Sequence, residues 1–229
     1  MGTAPTRGSQ RDSNLFRWVA LLVLPVVFAG FARSFYLRPL IRHTQLILLL
    51  QVHGTLMTTW VVLFAVQTLL IAGRRADLHR VLGLLGVVLA ILITIVGFAT
   101  LQYSIVSHHG IKPFSPEFFE AFVAFDGISL SLFAVFVAMA IVLRRYSDRH
   151  KRFMLLATLN LLPPAVGRAV ALLTHQHVEL VTLGFMLLAL AAIISVDYAR
   201  NRRLHPVFLW GGAAMAADYV ATFYFQTQA

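Results

Sequence analysis

Residues 81–106 read VLGLLGVVLAILITIVGFATLQYSIV, a stretch without a single charged side chain. A helix of about 20 apolar residues, rising about 1.5 Å per residue, is long enough to cross the hydrocarbon core of a bilayer, which is about 30 Å thick. Residues 81–106 exceed that length. This stretch therefore predicts a helix that spans a membrane.

Six further apolar stretches follow the same pattern along the chain. Together with residues 81–106 they predict an all-α fold, a polytopic transmembrane bundle of about seven helices. The polar segment 1–17 has too few apolar residues to fold and is predicted to be a disordered cytoplasmic tail. Residues 18–225 would then form a single transmembrane helical domain, followed by an external tail at 226–229. The six stretches are residues 18–36, 46–72, 118–143, 153–173, 180–199 and 207–225.

The composition of the chain agrees with this prediction. Of 229 residues, 59% are hydrophobic and 12% are charged, so the apolar surface exceeds what a soluble core of this length could bury. The formal net charge of +10 is spread over short clusters between apolar stretches, which indicates topology signals and no nucleic-acid partner. The chain has no cysteine, and it lacks motifs of soluble enzymes such as the His-Glu-x-x-His helix. The expected partner is the lipid bilayer.

Lysine and arginine residues mark one side of the predicted bundle. Positive residues in short loops are retained in the cytoplasm during insertion. Most fall on one side, as in residues 74–80, 144–152 and 200–203, whereas the other side has only Arg33, Arg38, Arg42 and Lys112. The N-terminus is therefore predicted in the cytoplasm and the C-terminus outside, as in a multi-pass protein of a bacterial inner membrane.

The first span has a second interpretation. A tail with arginines, an apolar stretch and the small residues of Ala29-Gly30-Phe31-Ala32 also form the pattern of a secretory signal peptide. Cleavage after Ala32 would leave six spans and would not change the side of any later loop.

Four ionisable side chains, His53, Asp126, Arg168 and Asp218, fall inside the predicted spans. At about 1.5 Å per residue, all four lie about 8–12 Å below the outer surface. A charge in hydrocarbon costs about 2.5–3.5 kcal/mol even on insertion scales, so each needs a partner, water or a function. We expect the four to face one another around an outward-opening polar pocket. The alternative is structural, with Arg168 paired to a carboxylate and His53 bonded to a backbone carbonyl.

Three histidines lie at the opposite face of the predicted bundle. His79, His150 and His205 each occur where a span begins, within or beside basic residues. Anchoring at the lipid headgroups explains them without chemistry. The alternative is that the three imidazoles converge as ligands of a metal or a haem, with Asp197 as a fourth polar partner.

Two groups of short motifs occur along the chain. The first comprises His53-Gly54-Thr55-Leu56-Met57, Trp60, Gln67, Gly73-Arg74, Leu78-His79-Arg80 and Leu82-Gly83. The second comprises His150-Lys151-Arg152-Phe153-Met154-Leu155-Leu156-Ala157 with Pro164, Ala165, Gly167 and Arg168. Together they resemble a widespread family of uncharacterised bacterial multi-span membrane proteins. The resemblance covers most of the chain from Tyr36 to Pro206, and it implies the membrane architecture but no established activity.

The first of these motifs, around His53, is also similar to a short segment of transmembrane b-type cytochromes. A histidine in that setting ligates haem iron, so the similarity implies haem as a candidate cofactor. It implies a ligand role for His53 alone.

Three functions follow from these observations. The first is a protein that binds a small amphiphile or a cofactor, such as haem or quinone, in the outer pocket or at the inner histidines. The second is a membrane enzyme that uses Asp126 or Asp218 as acid and His53 as base on a lipophilic substrate. The third is a transporter in which the charged layer binds substrate or protons. We place binding first, the enzyme second and transport third.

Reporter fusions test the predicted topology. Fusions after Ala76 and Asp148 should report the cytoplasm, and fusions after Lys112 and Ala229 should report the outside, because the basic loops are retained inside. An external signal after Asp148 would contradict the span count.

Sequencing of the mature N-terminus distinguishes the two interpretations of the first span, since loss of residues 1–32 would leave six spans.

Overall fold

The computed structural model describes residues 7–41, 45–107, 116–174 and 176–228, and the regular structure in these ranges is helical. The all-α fold predicted from the sequence is confirmed. The helices are α1 (Arg7–Phe31), which continues through a π-helical turn (Ala32–Tyr36), α2 (Arg38–Ile41), α3 (Leu48–Ala72), α4 (Ala76–Ser107), α5 (Pro116–Val142), α6 (Ser147–Asn160), α7 (Pro163–Leu173), α8 (Val178–Asn201) and α9 (Pro206–Gln228).

Five helices in the described ranges are long and apolar enough to cross a membrane, and a sixth span forms if the bent pair α6 and α7 crosses as one. These helices support a multi-pass membrane protein of five to six spans. The last helix, α9, has 23 residues but is less apolar than the others, because it contains Asp218, two glycines and several aromatic residues with polar groups. The seventh span and the orientation of the termini therefore stay predictions.

The N-terminal segment differs in part from its prediction. Helix α1 begins at Arg7, so the polar residues from Arg7 onwards belong to a helix instead of a disordered tail. Residues 1–6 lie outside the described residues. A polar extension of an apolar helix forms easily, because the first turns of the span already supply the nucleus from which a helix propagates.

The broken span α6–α7 lies at the centre of the bundle. Helix α6 packs on α5 and α9, and α7 packs on α1 and α8. The other neighbours, α1 with α3, α3 with α4, α4 with α5, α5 with α9 and α9 with α8, complete a ring around it. Leu155, Leu156, Ala157, Thr158 and Asn160 are all fully buried. Contacts with this span therefore hold the bundle together.

The break itself follows from Pro163-Pro164. Neither proline has an N–H, so the carbonyls of Leu159 and Asn160 lose the donors that a continuous helix would supply. The N–H of Leu162 donates to the carbonyl of Leu159 at 3.0 Å instead, and the chain bends by 44° between α6 and α7. Both prolines then sit at the first positions of α7, where a missing N–H is tolerated.

Close contact between α1 and α7 depends on Gly30. A Cβ atom at this position would overlap the backbone carbonyl of Ala165, which cannot move aside as a side chain could. Small residues let membrane helices approach in this way, and van der Waals contact then stabilises the pair. A Cβ atom at Gly184 on α8 would instead point into open space, with no neighbouring helix within 4 Å in the described parts of the chain.

Gly30→Ala and Gly184→Ala form a matched pair of tests. An alanine in a helix normally stabilises by about 0.5–1 kcal/mol relative to glycine, so Gly184→Ala should leave stability unchanged or slightly raised. Gly30→Ala should destabilise by about 1–3 kcal/mol, because the backbones of α1 and α7 must separate. Thermal unfolding of the purified protein in detergent measures both, and equal midpoints for the two variants would contradict the close contact.

Candidate functional site

Three polar side chains from three helices meet beside the α6/α7 break. The hydroxyl of Ser129 on α5 donates to Oδ2 of Asp218 on α9 at 2.9 Å. Nδ2 of Asn160, the last residue of α6, donates to the backbone carbonyl of Ser129 at 2.5 Å. Asn160 is fully buried, and Ser129 and Asp218 are each 6% exposed. We call these three residues the break cluster.

The break cluster has oxygen acceptors without donors. Within the described residues, Oδ1 of Asp218 and Oδ1 of Asn160 have no hydrogen-bond partner. A buried polar atom left in this state costs about 1–3 kcal/mol, and more if it is charged. Such a cost within a buried core calls for a functional explanation.

A second polar contact fixes the position of α6 close to the cluster. Nε1 of Trp60 on α3 donates to the hydroxyl of Thr158 at 3.2 Å, and that hydroxyl donates to the carbonyl of Met154 at 3.0 Å. The Trp60 ring also packs edge-on against Phe133 of α5, with centroids 4.9 Å apart. Helices α3, α5 and α6 are thereby held in register near Asn160.

The four ionisable residues of the predicted outer layer lie in different surroundings. Asp218 is buried in the break cluster, and His53 and Asp126 are half-buried. Arg168 is exposed on α7, where Nη1 donates to the carbonyl of Pro164 at 3.0 Å and the guanidinium lies 4.8 Å from the ring centroid of Phe31. No ion pair within 4.0 Å joins Arg168 to Asp126 or Asp218 in the described structure.

The same four residues are nevertheless close enough to interact through their charges. The charge of Arg168 acts on both His53 and Asp126, and that of Asp218 acts on Asp126. The structure therefore brings the four into one region of the bundle, while the direct pairing of Arg168 with a carboxylate does not form. The guanidinium is stabilised instead by the face of an aromatic ring and by a backbone carbonyl.

A cavity of about 190 Å³ opens between α5, α7, α8 and α9. None of the four predicted residues lines it. Phe122, Phe125, Phe223 and Met186 contribute apolar walls, and the prolines of the break form part of another side. It extends to Glu179 in the first turn of α8 and Gln226 in the last turn of α9, so it reaches the end of the bundle.

Two hydroxyl groups in the wall of this cavity lack partners. The Oγ1 atom of Thr182 on α8 and the OH of Tyr219 on α9 are buried without a hydrogen-bond partner among the described residues. Tyr219 is the residue after Asp218, so the cavity and the break cluster are neighbours on α9. Both oxygens are themselves shielded from solvent, and each hydroxyl can act as a donor or an acceptor.

A buried ion pair lies at the opposite end of the bundle. Arg152 on α6 forms two hydrogen bonds to Asp197 on α8, from Nη2 to Oδ1 at 2.7 Å and from Nε to Oδ2 at 3.2 Å. Its Nη1 donates to the carbonyl of Asp148 at 2.7 Å, and its guanidinium lies 5.8 Å from the ring centroid of Phe208 on α9. Both members of the pair are almost completely buried. This ion pair ties α6 to α8.

His205 joins the same region from the loop before α9. The backbone N–H of Val207 donates to Nδ1 of His205 at 3.2 Å, so the proton of the neutral ring is on Nε2, which donates to Oδ2 of Asp148 at 3.1 Å. Burial is the main cause that lowers the pKa of His205, and the charge of Arg152 acts in the same direction, against the hydrogen bond to Asp148. A neutral ring fits this arrangement.

His79 and His150 form a separate pair. Their rings are nearly perpendicular, with centroids 6.3 Å apart. Nδ1 of His150 lies 2.9 Å from the carbonyl of Ala140. The side-chain amide of Gln67 lies against His79, with its nitrogen placed to donate to Nδ1 and its oxygen placed to accept from the N–H of Gly83 at 3.0 Å.

The three histidines and Asp197 therefore fall into separate groups in this structure, and their role as ligands of a metal or a haem stays a prediction. His79 is beside His150, whereas His205 is bonded to Asp148 and Asp197 is bonded to Arg152. Across the described parts of the chain, no three His, Asp or Glu side chains are grouped as a metal ion requires. The carboxylate of Asp197 is bonded to Arg152, whose position in the sequence indicates only membrane topology.

No protein-family model matches this chain, and no curated protein or solved structure matches it.

Several residues of these sites are hard to recognise as site residues from the sequence. Ser129, Asn160, Thr182 and Tyr219 are ordinary polar residues in apolar helices, and nothing in their spacing relates them to one another. Asn160 could have been found from its position directly before the Pro163-Pro164 break, where a helix end inside the membrane needs polar partners.

Asp197→Asn tests the buried ion pair. We expect the free energy of unfolding to fall by about 3–5 kcal/mol, because Arg152 would be left buried without its counter-charge. The control is Asp77→Asn, since Asp77 is exposed and 3.5 Å from Arg75, and a surface pair contributes about 0–1 kcal/mol. Unfolding in detergent measures both. Equal losses in the two variants would show that the Arg152–Asp197 pair does not link α6 to α8.

Proposed function

We propose that this protein binds a small amphiphilic molecule in the cavity between α5, α7, α8 and α9. The observation that carries the proposal is the pair of buried hydroxyls on Thr182 and Tyr219, two residues of a largely apolar wall, which have no partners among the described residues. A ligand with a carbonyl or hydroxyl oxygen would supply the missing hydrogen bonds. Ligand sites commonly combine apolar walls with a few polar groups that orient the ligand.

The size of the cavity limits what it can enclose. A volume of about 190 Å³ is below the roughly 300–1,000 Å³ of sites that enclose a drug-sized ligand. It holds the polar head of an amphiphile, and the tail would extend into the lipid. A quinone ring or the alcohol end of an isoprenoid has the required oxygen and apolar body.

Haem fits this cavity less well than a quinone. No histidine lies in the part of its wall that the structure describes, and the chemistry of haem requires an axial ligand. Haem bound by His53 or by His150 stays a separate prediction, and the absorption spectrum of the purified protein tests it.

We place the protein in a bacterial inner membrane with seven spans, the N-terminus inside and the C-terminus outside. The positive-inside distribution of Lys and Arg supports this orientation. In that orientation the cavity opens near the outer surface, because the start of α8 and the end of α9 lie on that side.

Transport is the second candidate function, and the broken central span favours it. Many secondary transporters bind substrate and ions at helices that are interrupted inside the membrane, where unwound backbone is exposed to the site. The enzyme hypothesis has less support, because Asp126, Asp218 and His53 are not in the wall of the cavity.

A quinone with one isoprenoid unit and the matching isoprenoid alcohol serve as probes in a thermal-shift assay. Tyr219→Phe and Thr182→Val each remove a hydroxyl while keeping the shape, and each should weaken probe binding about tenfold, the value of one hydrogen bond of about 1.4 kcal/mol. Met186→Trp should fill the cavity and abolish binding.

Tyr224→Phe is the matched control, since Tyr224 is exposed on the same helix α9. It should bind both probes as the wild type does. If Tyr219→Phe and Tyr224→Phe bind with equal affinity, or if neither probe stabilises the wild type, the cavity is not an amphiphile site.

A further inference from the structure

The break cluster contains more hydrogen-bond acceptors than donors. Ser129 has one hydroxyl proton, which is already given to Oδ2 of Asp218. Oδ1 of Asp218 and Oδ1 of Asn160 are both buried and unpartnered within the described structure. Because Asp218 and Asn160 bond to the side chain and the carbonyl of the same residue, Ser129, these two oxygens belong to one small region.

The helix break also leaves the backbone carbonyl of the same residue, Asn160, without its usual helical donor. The carbonyl of Asn160 would accept from residue 164 in a continuous helix, but Pro164 has no N–H to donate. It is therefore a further acceptor at the end of α6, next to the side chain of Asn160. Carboxylate, amide and backbone carbonyl oxygens are the ligands that hard cations prefer.

Negative charge at this position has little direct compensation. Asp218 is 6% exposed, and its one hydrogen bond in the described structure comes from a neutral hydroxyl. The ionisable groups near Asp218 are Asp126 on α5, itself acidic, and the phenol of Tyr219 on α9, which is neutral. Arg168 on α7 acts on Asp126 and is exposed. Helices α6 and α8 also pack against α9. Their charged residues Arg152 and Asp197 are bonded to each other at the other end of the bundle.

We propose that the break cluster binds one monovalent cation, a proton or Na⁺, between Asp218 and Asn160. A cation neutralises the carboxylate and at the same time gives the surplus oxygens a partner. Helix breaks inside transporters hold Na⁺ or protons with the same kinds of oxygen. A proton would make Asp218 a neutral acid that donates one hydrogen bond, and Na⁺ would be coordinated by the free oxygens directly.

This proposal does not depend on the amphiphile site. The cavity wall contains Tyr219 and Thr182, whereas the cation site contains Asp218, Asn160 and Ser129. Loss of probe binding in Tyr219→Phe and loss of cation binding in Asp218→Asn are therefore separate results, and either one can fail without the other.

The first arm of the test measures Na⁺. Purified full-length protein in detergent is incubated with radioactive Na⁺ against a choline background at constant ionic strength. If Na⁺ is the cation, one ion binds per chain, Asp218→Asn loses it, and Ser129→Ala binds more weakly. Asp77→Asn, which removes an exposed carboxylate, should bind as the wild type does.

The second arm measures the proton. Infrared difference spectra between acidic and alkaline samples show the carbonyl stretch of a protonated carboxyl in an apolar environment. If the proton is the cation, this band is present in the wild type and in Asp77→Asn and is lost in Asp218→Asn. The thermal midpoint of the wild type should also fall as the pH rises, because deprotonation leaves a buried negative charge.

The wild type alone can overturn the proposal, even if Asp218→Asn does not fold. No bound Na⁺ together with no protonated-carboxyl band would mean that no cation neutralises Asp218. A Na⁺ signal or an infrared band that persists unchanged in both Asp218→Asn and Ser129→Ala would place the cation elsewhere and would equally overturn it.

Discussion

A polar group inside a hydrocarbon bilayer has no water to bond, and the arrangement of this bundle depends on that constraint. The central span α6–α7 is the element most affected, because Pro163-Pro164 removes two backbone donors where most of the chain is buried. Neighbouring helices must then supply partners. Ser129 on α5 accepts a hydrogen bond from the side chain of Asn160 and donates one to Asp218 on α9, so the break remains rich in acceptors.

The two ends of the central span meet this constraint in opposite ways. At the predicted cytoplasmic end, Arg152 and Asp197 satisfy each other with two hydrogen bonds, and Asp148 accepts from both Arg152 and His205. An ion pair of this kind, once buried, is costly to separate and therefore holds its helices together. At the predicted outer end, polar atoms stay unpartnered within the described structure, beside a cavity. The first arrangement stabilises the bundle, and the second is the one that a ligand or an ion can complete.

The consecutive residues Asp218 and Tyr219 connect the two proposed sites. One belongs to the break cluster and the other to the cavity wall, so an occupant of either site lies next to the other. Binding at two such neighbouring sites is energetically coupled whenever the occupant of one changes the position or charge of groups in the other. A cation that neutralises Asp218 would thus alter the environment of the Tyr219 hydroxyl. Coupling of this kind between cation and amphiphile would fit transport, the second candidate function.

The sequence by itself determined the helical class and the positions of most spans, because these depend on apolar length along one chain. The helix break follows from Pro163-Pro164 itself, since proline acts locally. Only the tertiary structure decided which way each side chain faces. Arg168 is exposed against Phe31, Asp218 is bonded to Ser129, and Arg152 is paired with Asp197. The rotation of a helix about its own axis is set by packing against its neighbours, and a helix that is apolar on all sides carries no periodic pattern from which that rotation could be predicted.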